Sequence, residues 1–225
     1  MSMYTSRHKF ACEAISLPAL LATKLCAAIS LEQSGSWFLA GEAYDVVRRA
    51  IEGAEHIEAQ AQLAARSATC YEVCGQTRPS ARAYESAANL LAHNKLRPEI
   101  AAELYNRAAL QFSAAGEFFF AGSCWSASAG QFASVNKDIV DCSENYQPLP
   151  MASLKSFLCG NCHEAAANAF SKVIGQESWA VNAYWEAGQL YSTGIPNIQA
   201  FDAYFKSLKT AIRVHGTLEK AAALR

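Results

Sequence analysis

The chain has 225 residues, 52% hydrophobic and 17% charged, with 19 lysines and arginines against 20 acidic residues and a formal net charge of −1. A chain of this size buries roughly 70% of its unfolded surface without needing a disulfide or a metal. Its sparse, scattered charge carries no electrostatic footprint for nucleic acid, and abundant alanine with few Gly and Pro points to an all-α fold.

The opening stretch "SRHKFACEAISLPALLATKLCAAIS" sets basic residues before an apolar run, the outline of a secretory signal. Glu13 and Lys24 interrupt it, and the run from Ala14 to Thr23 is too short to span a bilayer. A cytoplasmic chain with at most peripheral membrane contact is expected, and its eight cysteines then read as small buried hydrophobes, Cys70 and Cys74 among them.

Apolar periodicity predicts helices over 18–33, 36–52, 56–74, 78–93, 98–115 and 117–133. Residues 134–148, "SVNKDIVDCSENYQP", break the pattern and are read as a loop. Beyond it helices are predicted over 149–160, 163–174, 177–193 and 198–214, with a short one near 217–223. The loop divides N-terminal repeats at 1–133 from C-terminal repeats at 149–225 within one continuous solenoid.

The repeat itself shows in "WFLAGEAY" at 37–44 and "FFFAGSCW" at 118–125. A small residue followed four positions later by an aromatic recurs as Ala40 with Tyr44, Ser80 with Tyr84, Ala121 with Trp125, Ala166 with Phe170 and Ala200 with Tyr204. Nine positions before each small residue stand Leu31, Tyr71, Phe112, Phe157 and Tyr191, and twelve before stand Ala28, Ala68, Ala109, Leu154 and Gly188. Gly35, Gly75 and Gly116 fall where a helix ends in the left-handed conformation. Each unit is thus helix, glycine turn, helix. No single hairpin hides its apolar face, so the hairpins stack into a tetratricopeptide-like right-handed α-solenoid of about five antiparallel pairs.

In this register "LCGNCH" at 158–163 occupies the turn of the fourth unit, with Asn161 in the glycine's place. Cys159, Cys162 and His163 spell CxxCH, a haem-attachment signature, and zinc is a further alternative; the repeat explains the segment without either. No Walker loop, GxGxxG, HExxH or GxSxG is present, and His8, His56, His93, His163 and His215 are dispersed, mostly near predicted helix ends. No catalytic, cofactor-binding or metal residue is assigned.

The third unit, "AAELYNRAALQFSAAGEFFFAGSCWSASAGQFA", resembles the helical hairpins of the soluble NSF attachment proteins (SNAPs). Tyr105, Ala108, Ala109, Phe112, Ala115, Ala121, Gly122 and Gln131 carry the likeness, which covers residues 20–133 well and 150–214 loosely. The resemblance implies an adaptor in vesicle trafficking that lies along a SNARE bundle and recruits a disassembly ATPase. Arg48, Arg49, Arg66, Arg82 and Arg107 would then meet the acidic bundle, and Leu224 holds the penultimate position through which such adaptors stimulate the ATPase, without the acidic run before it. The alternative is a non-enzymatic tetratricopeptide-like scaffold that takes a peptide in the groove lined by first helices, where the register nominates Glu72, Glu103, Asn106, Asn182, Trp185 and Gln189.

Overall fold

A computed structural model describes residues 19–51, 56–135, 151–194 and 198–223. The described residues form nine α-helices and no strand: α1 (Ala19–Gln33), α2 (Trp37–Ala50), α3 (Ile57–Val73), α4 (Thr77–His93), α5 (Pro98–Ala114), α6 (Phe118–Ser134), α7 (Met151–Phe170), α8 (Glu177–Gly194) and α9 (Ile198–Ala223). Each helix packs chiefly on the one before and the one after it. The result is an all-α solenoid of tetratricopeptide-like helix pairs, four complete and a fifth opened by α9.

The first three pairs are joined by one device. Gly35, Gly75 and Gly116 take φ of 79°, 74° and 75°. The amide after each donates to the carbonyl five residues back, Ser36 to Leu31 at 2.9 Å, Gln76 to Tyr71 at 2.8 Å and Glu117 to Phe112 at 2.8 Å. This closes each helix and reverses the chain within three residues. The turn between α4 and α5 repeats the device without glycine: Leu96 donates to Leu91 at 2.9 Å while Lys95 takes a φ of 54°. Arg97, just ahead of Pro98, is also left-handed, at φ 46°.

Between layers the repeat supplies a small residue for every large one. Tyr44, Tyr84 and Phe112 are fully buried, and Ala40, Ser80 and Ala121 lie beside them at zero exposure. Tyr44, Tyr84 and Trp125 stand at equivalent places on the second helices α2, α4 and α6. Seryl hydroxyls tie the layers by adding a second bond to helical carbonyls: Ser67 donates to Gly41 O (2.8 Å), Ser128 to Ala102 O (2.9 Å) and Ser207 to Val181 O (3.0 Å).

The fourth unit departs from expectation. Residues 149–160 and 163–174 were expected as two helices with a turn at Asn161; α7 instead runs unbroken through that position, from Met151 to Phe170. The turn lies at Gly175, φ 83°, and the small residue and aromatic that follow it are Ala180 and Tyr184, both buried, rather than Ala166 and Phe170. Phe170 takes the place of Tyr71 and Phe112 on the first helix. A Cβ on Gly122 would meet its ring, just as a Cβ on Gly41 would meet Tyr71. Ala200 and Tyr204 likewise sit on a first helix, α9, which absorbs the separate 217–223 helix. The loop expected at 134–148 lies almost wholly outside the described residues, as do residues 1–18 with His8 and the apolar run's first half, and Leu224. No helix among the described residues is long and apolar enough to cross a membrane.

Candidate interaction groove

First helices of successive units lie side by side and are bridged by polar contacts at every step. Arg66 on α3 reaches Glu32 on α1 (3.7 Å), and Gln111 on α5 donates to Glu72 on α3 (3.0 Å). Cys162 on α7 contacts Asn106 on α5 (3.7 Å), and Lys206 on α9 donates to Glu164 on α7 (2.7 Å). Second helices feed tyrosyl hydroxyls into this ladder. Tyr44 donates to Glu32, Tyr84 to Glu72 (2.6 Å), and Tyr191 to Asn161 (2.7 Å) and Glu164 (3.0 Å). Burial first, and then the carboxylate it serves, pushes each of these three phenols up.

On this side of the molecule α1, α3 and α5 enclose an open groove of about 190 Å³. Its floor is apolar, made by Ala61, Ala65, Leu91, Ile100 and Leu104. Its rim carries three cations and three carboxylates. Arg66 lies beside Glu32 and donates to Tyr44 Oη at 3.1 Å. Arg107 donates to Glu103 at 2.9 Å and lies 5.8 Å from the centre of the Tyr84 ring. Arg97 sits 3.8 Å from Glu58 and 3.9 Å from Glu99. A space of 190 Å³ is below the ~300–1,000 Å³ of a small-molecule pocket and suits one or two apolar side chains presented by a partner.

Of the residues nominated from sequence, Arg66, Glu103 and Arg107 line this groove, and Glu72 and Asn106 belong to the adjoining ladder. Asn182, Trp185 and Gln189 do not, because α8 is the second helix of its unit and not the first; all three are exposed, and the Trp185 ring packs 4.9 Å from that of Tyr204. The five arginines do not form one basic face. Arg48 and Arg49 are held by Asp45 on their own helix, and Arg82 lies over the Phe112 and Phe120 rings at 5.5 and 4.7 Å. Arg66 and Arg107 alone reach the groove. Sequence reasoning missed Glu32, Glu58 and Arg97. Glu32 was findable, since it precedes Gly35 as Glu72 precedes Gly75, whereas Arg97 sits in a turn that no periodicity marks.

Four of the described cysteines are held away from the thiolate form. Burial pushes the Cys70 and Cys124 thiols up to about 12 and also raises Cys159 and Cys162. The CxxCH segment is helical, not a turn. Cys159 Sγ contacts Ala129 O (3.5 Å) and Cys162 Sγ contacts Ser128 Oγ (3.7 Å), so both sulfurs are packed into the α6–α7 seam. His163 is in the middle of α7 rather than at a helix end, with Nδ1 2.9 Å from Glu186 Oε2. Among the described residues no group of three His, Cys, Asp or Glu side chains could hold a metal ion.

No family model matches this chain, and no curated protein does. Solved structures do. One is a Podosopora anserina protein named for kinesin light chain, with nearly identical TPR-like repeats, 13% identical over 89% of this chain and 99% of that one at a TM-score of 0.40. A single-substitution variant of the same protein is 14% identical over 93% of this chain and 100% of that one, at 0.41. A likeness of that size identifies neither a family nor a function.

Proposed function

We propose that this chain is a non-enzymatic protein-interaction scaffold whose groove between α3 and α5 takes a peptide segment of a partner protein. The observation that carries the reading is an open apolar floor ringed by Arg66, Arg97 and Arg107. The floor accepts an apolar side chain, and flanking acidic residues of the partner exchange for Glu58 or Glu103 on Arg97 and Arg107. Such rim pairs are worth about 0–1 kcal/mol each, so the exchange costs little. A SNARE bundle with its disassembly ATPase, the partner implied by the SNAP resemblance, is one acidic protein partner within this class, and pull-down at low ionic strength tests it separately.

A display library of short peptides panned on the chain provides the test. Enriched sequences are expected to pair an apolar residue with acidic neighbours and to lose binding to a Gln62→Trp variant, which fills the groove mouth. Panning that enriches nothing, or enriches peptides that the variant binds equally well, would remove the reading.

A further inference from the structure

The two ends of the stack differ in chemistry. α1 turns Thr23, Lys24, Cys26, Ala27 and Ser30 outward with one large apolar side chain, Leu20, at its start, a mostly small and polar surface of the kind that closes a repeat array. α9 does the opposite. Its inner face, Ala200, Ala203 and Ser207, is buried against α8, while Ile198, Phe201, Phe205, Leu208 and Ile212 are 55–85% exposed. Among the described residues no helix covers them.

These five residues alternate in steps of three and four, the spacing of a coiled-coil seam. The Phe201 and Phe205 rings stack at 6.4 Å, so they share one face. The seam is nearly symmetric about Phe205: Ile198 and Ile212 lie seven residues to either side, Phe201 four before and Leu208 three after. Laid antiparallel on a copy of itself, Ile198 meets Ile212, Phe201 meets Leu208, and Phe205 meets its own equivalent. Along one flank this pairing brings Asp202 opposite Lys209 of the other copy, twice, once on each side of the axis. Lys209 has no ion-pair partner among the described residues, while Asp202 accepts from Lys206 at 2.6 Å and keeps a second oxygen for another cation.

We infer that the chain forms a two-fold dimer through the outer face of α9, with a second copy as its occupant. The inference does not rest on the groove. An isologous pairing fits because, among the described residues, the broad apolar face lies on α9: joining it to the outer face of α1 would bury it against Lys24 and Ser30 and would generate an open chain of molecules. The area is adequate. Five side chains of ~150–200 Å² at the observed exposures offer on the order of 600 Å² per copy before any rim is counted, close to the ~800 Å² per partner of a standard interface.

Sedimentation equilibrium on the full chain tests this. The expected result is a dimer, converted to monomer by Phe205→Asp, which sets two carboxylates against each other on the axis. Circular dichroism melting of that variant must match the parent at concentrations dilute enough for both to be monomeric, since Phe205 is outside the core and association itself raises the melting temperature. Lys209→Glu, at an exposed position that cannot affect folding, should weaken the dimer about tenfold, and adding Asp202→Lys should restore it. A chain that stays monomeric at concentrations on the order of 100 μM overturns the inference. So does a dimer indifferent to Phe205→Asp, which would place the interface elsewhere. A dimer that breaks with Phe205→Asp but ignores Lys209→Glu overturns the antiparallel register.

Discussion

Two glycines of one helix should answer the same substitution with opposite signs. Gly122, on α6, faces the Phe170 ring; a Cβ there would lie 2.7 Å from Cε1, 2.8 Å from Cζ and 2.9 Å from Cδ1. Phe170 is 2% exposed, with Phe119 and Trp179 against it at ring separations of 6.2 and 5.7 Å, so it has no room to swing aside. Gly130, further along α6, has nothing within 4 Å of its would-be Cβ. Replacing either by alanine gains about 1 kcal/mol of helix propensity. At Gly122 the forced contact costs about 1–3 kcal/mol, as core overpacking does, leaving a net loss of roughly 1 kcal/mol. At Gly130 the whole gain survives. Since both changes occur in one helix, propensity and unfolded-chain effects cancel in the difference, which measures the clash alone. Urea unfolding followed by circular dichroism should therefore place Gly130→Ala above the parent and Gly122→Ala below it. If Gly122→Ala is stabilised as much as Gly130→Ala, the α6–α7 contact is not as described, and the repeat register of the fourth unit falls with it.

That register has its own test in the large side chains. Phe170→Ala should cost about 3–5 kcal/mol in the same assay, whereas Phe157→Ala, at a site 38% exposed, should cost about 1 kcal/mol; equal losses would return Phe157 to the core position the sequence pattern assigned it. His163 makes stability depend on pH. Burial lowers its pKa below the ordinary 6.5, with Glu186 opposing, so as pH falls through 6.5 the unfolded chain takes up a proton that the folded chain refuses, and stability declines until the folded pKa is passed. His163→Gln should flatten that decline between about pH 7.5 and about pH 5.5 in urea midpoints, and an unchanged slope would assign it to another group. Glu85 cannot imitate the effect, because burial raises its carboxyl and so gives the opposite sign.

What the sequence revealed and what it hid have one physical cause. The first three units keep a constant interval, and their turn glycines are required by backbone geometry, so Ala40 with Tyr44, Ser80 with Tyr84 and Ala121 with Trp125 were legible without coordinates. Beyond Ser134 the interval changes, and the pattern was carried on to the wrong residues. Gly160 and Asn161 look like turn residues by type. In the fold Gly160 is where the Tyr191 ring crosses α7, with a Cβ position only 2.6 Å from its Cε1, and Asn161 accepts from that tyrosine's hydroxyl. A glycine that admits a neighbour and a glycine that ends a helix are indistinguishable in one sequence. The true turn residue, Gly175, and its followers Ala180 and Tyr184 were present but broke the counting. Site residues failed the same way: Glu72, Glu103 and Asn106 were placed by a correct register, and Asn182, Trp185 and Gln189 by a shifted one.

The ladder between first helices also explains why charge alone was a poor guide to a binding face. Of the arginines counted from sequence as available for an acidic partner, Arg48, Arg49, Arg66 and Arg107 are already beside a carboxylate of their own chain, and Arg82 lies over two phenylalanine rings. The strength of that attachment differs across the groove. Arg97 and Glu58 keep side-chain exposures of 61% and 54%, and solvent screens their pairing at 3.8 Å to a few tenths of a kcal/mol. Arg107 is more enclosed, at 32%, yet its partner Glu103 is 61% exposed and turns away at little cost. Arg66 is different, because the carboxylate beside it is fixed by the buried Tyr44 hydroxyl, to which Arg66 itself donates. Releasing Glu32 would strand that phenol, a cost of about 1–3 kcal/mol for a buried polar group left without its partner. A ligand carboxylate therefore displaces Glu58 or Glu103 before Glu32. On the proposed reading the cations left for such a ligand are Arg97 and Arg107, while Arg66 bridges α3 to Glu32 on α1.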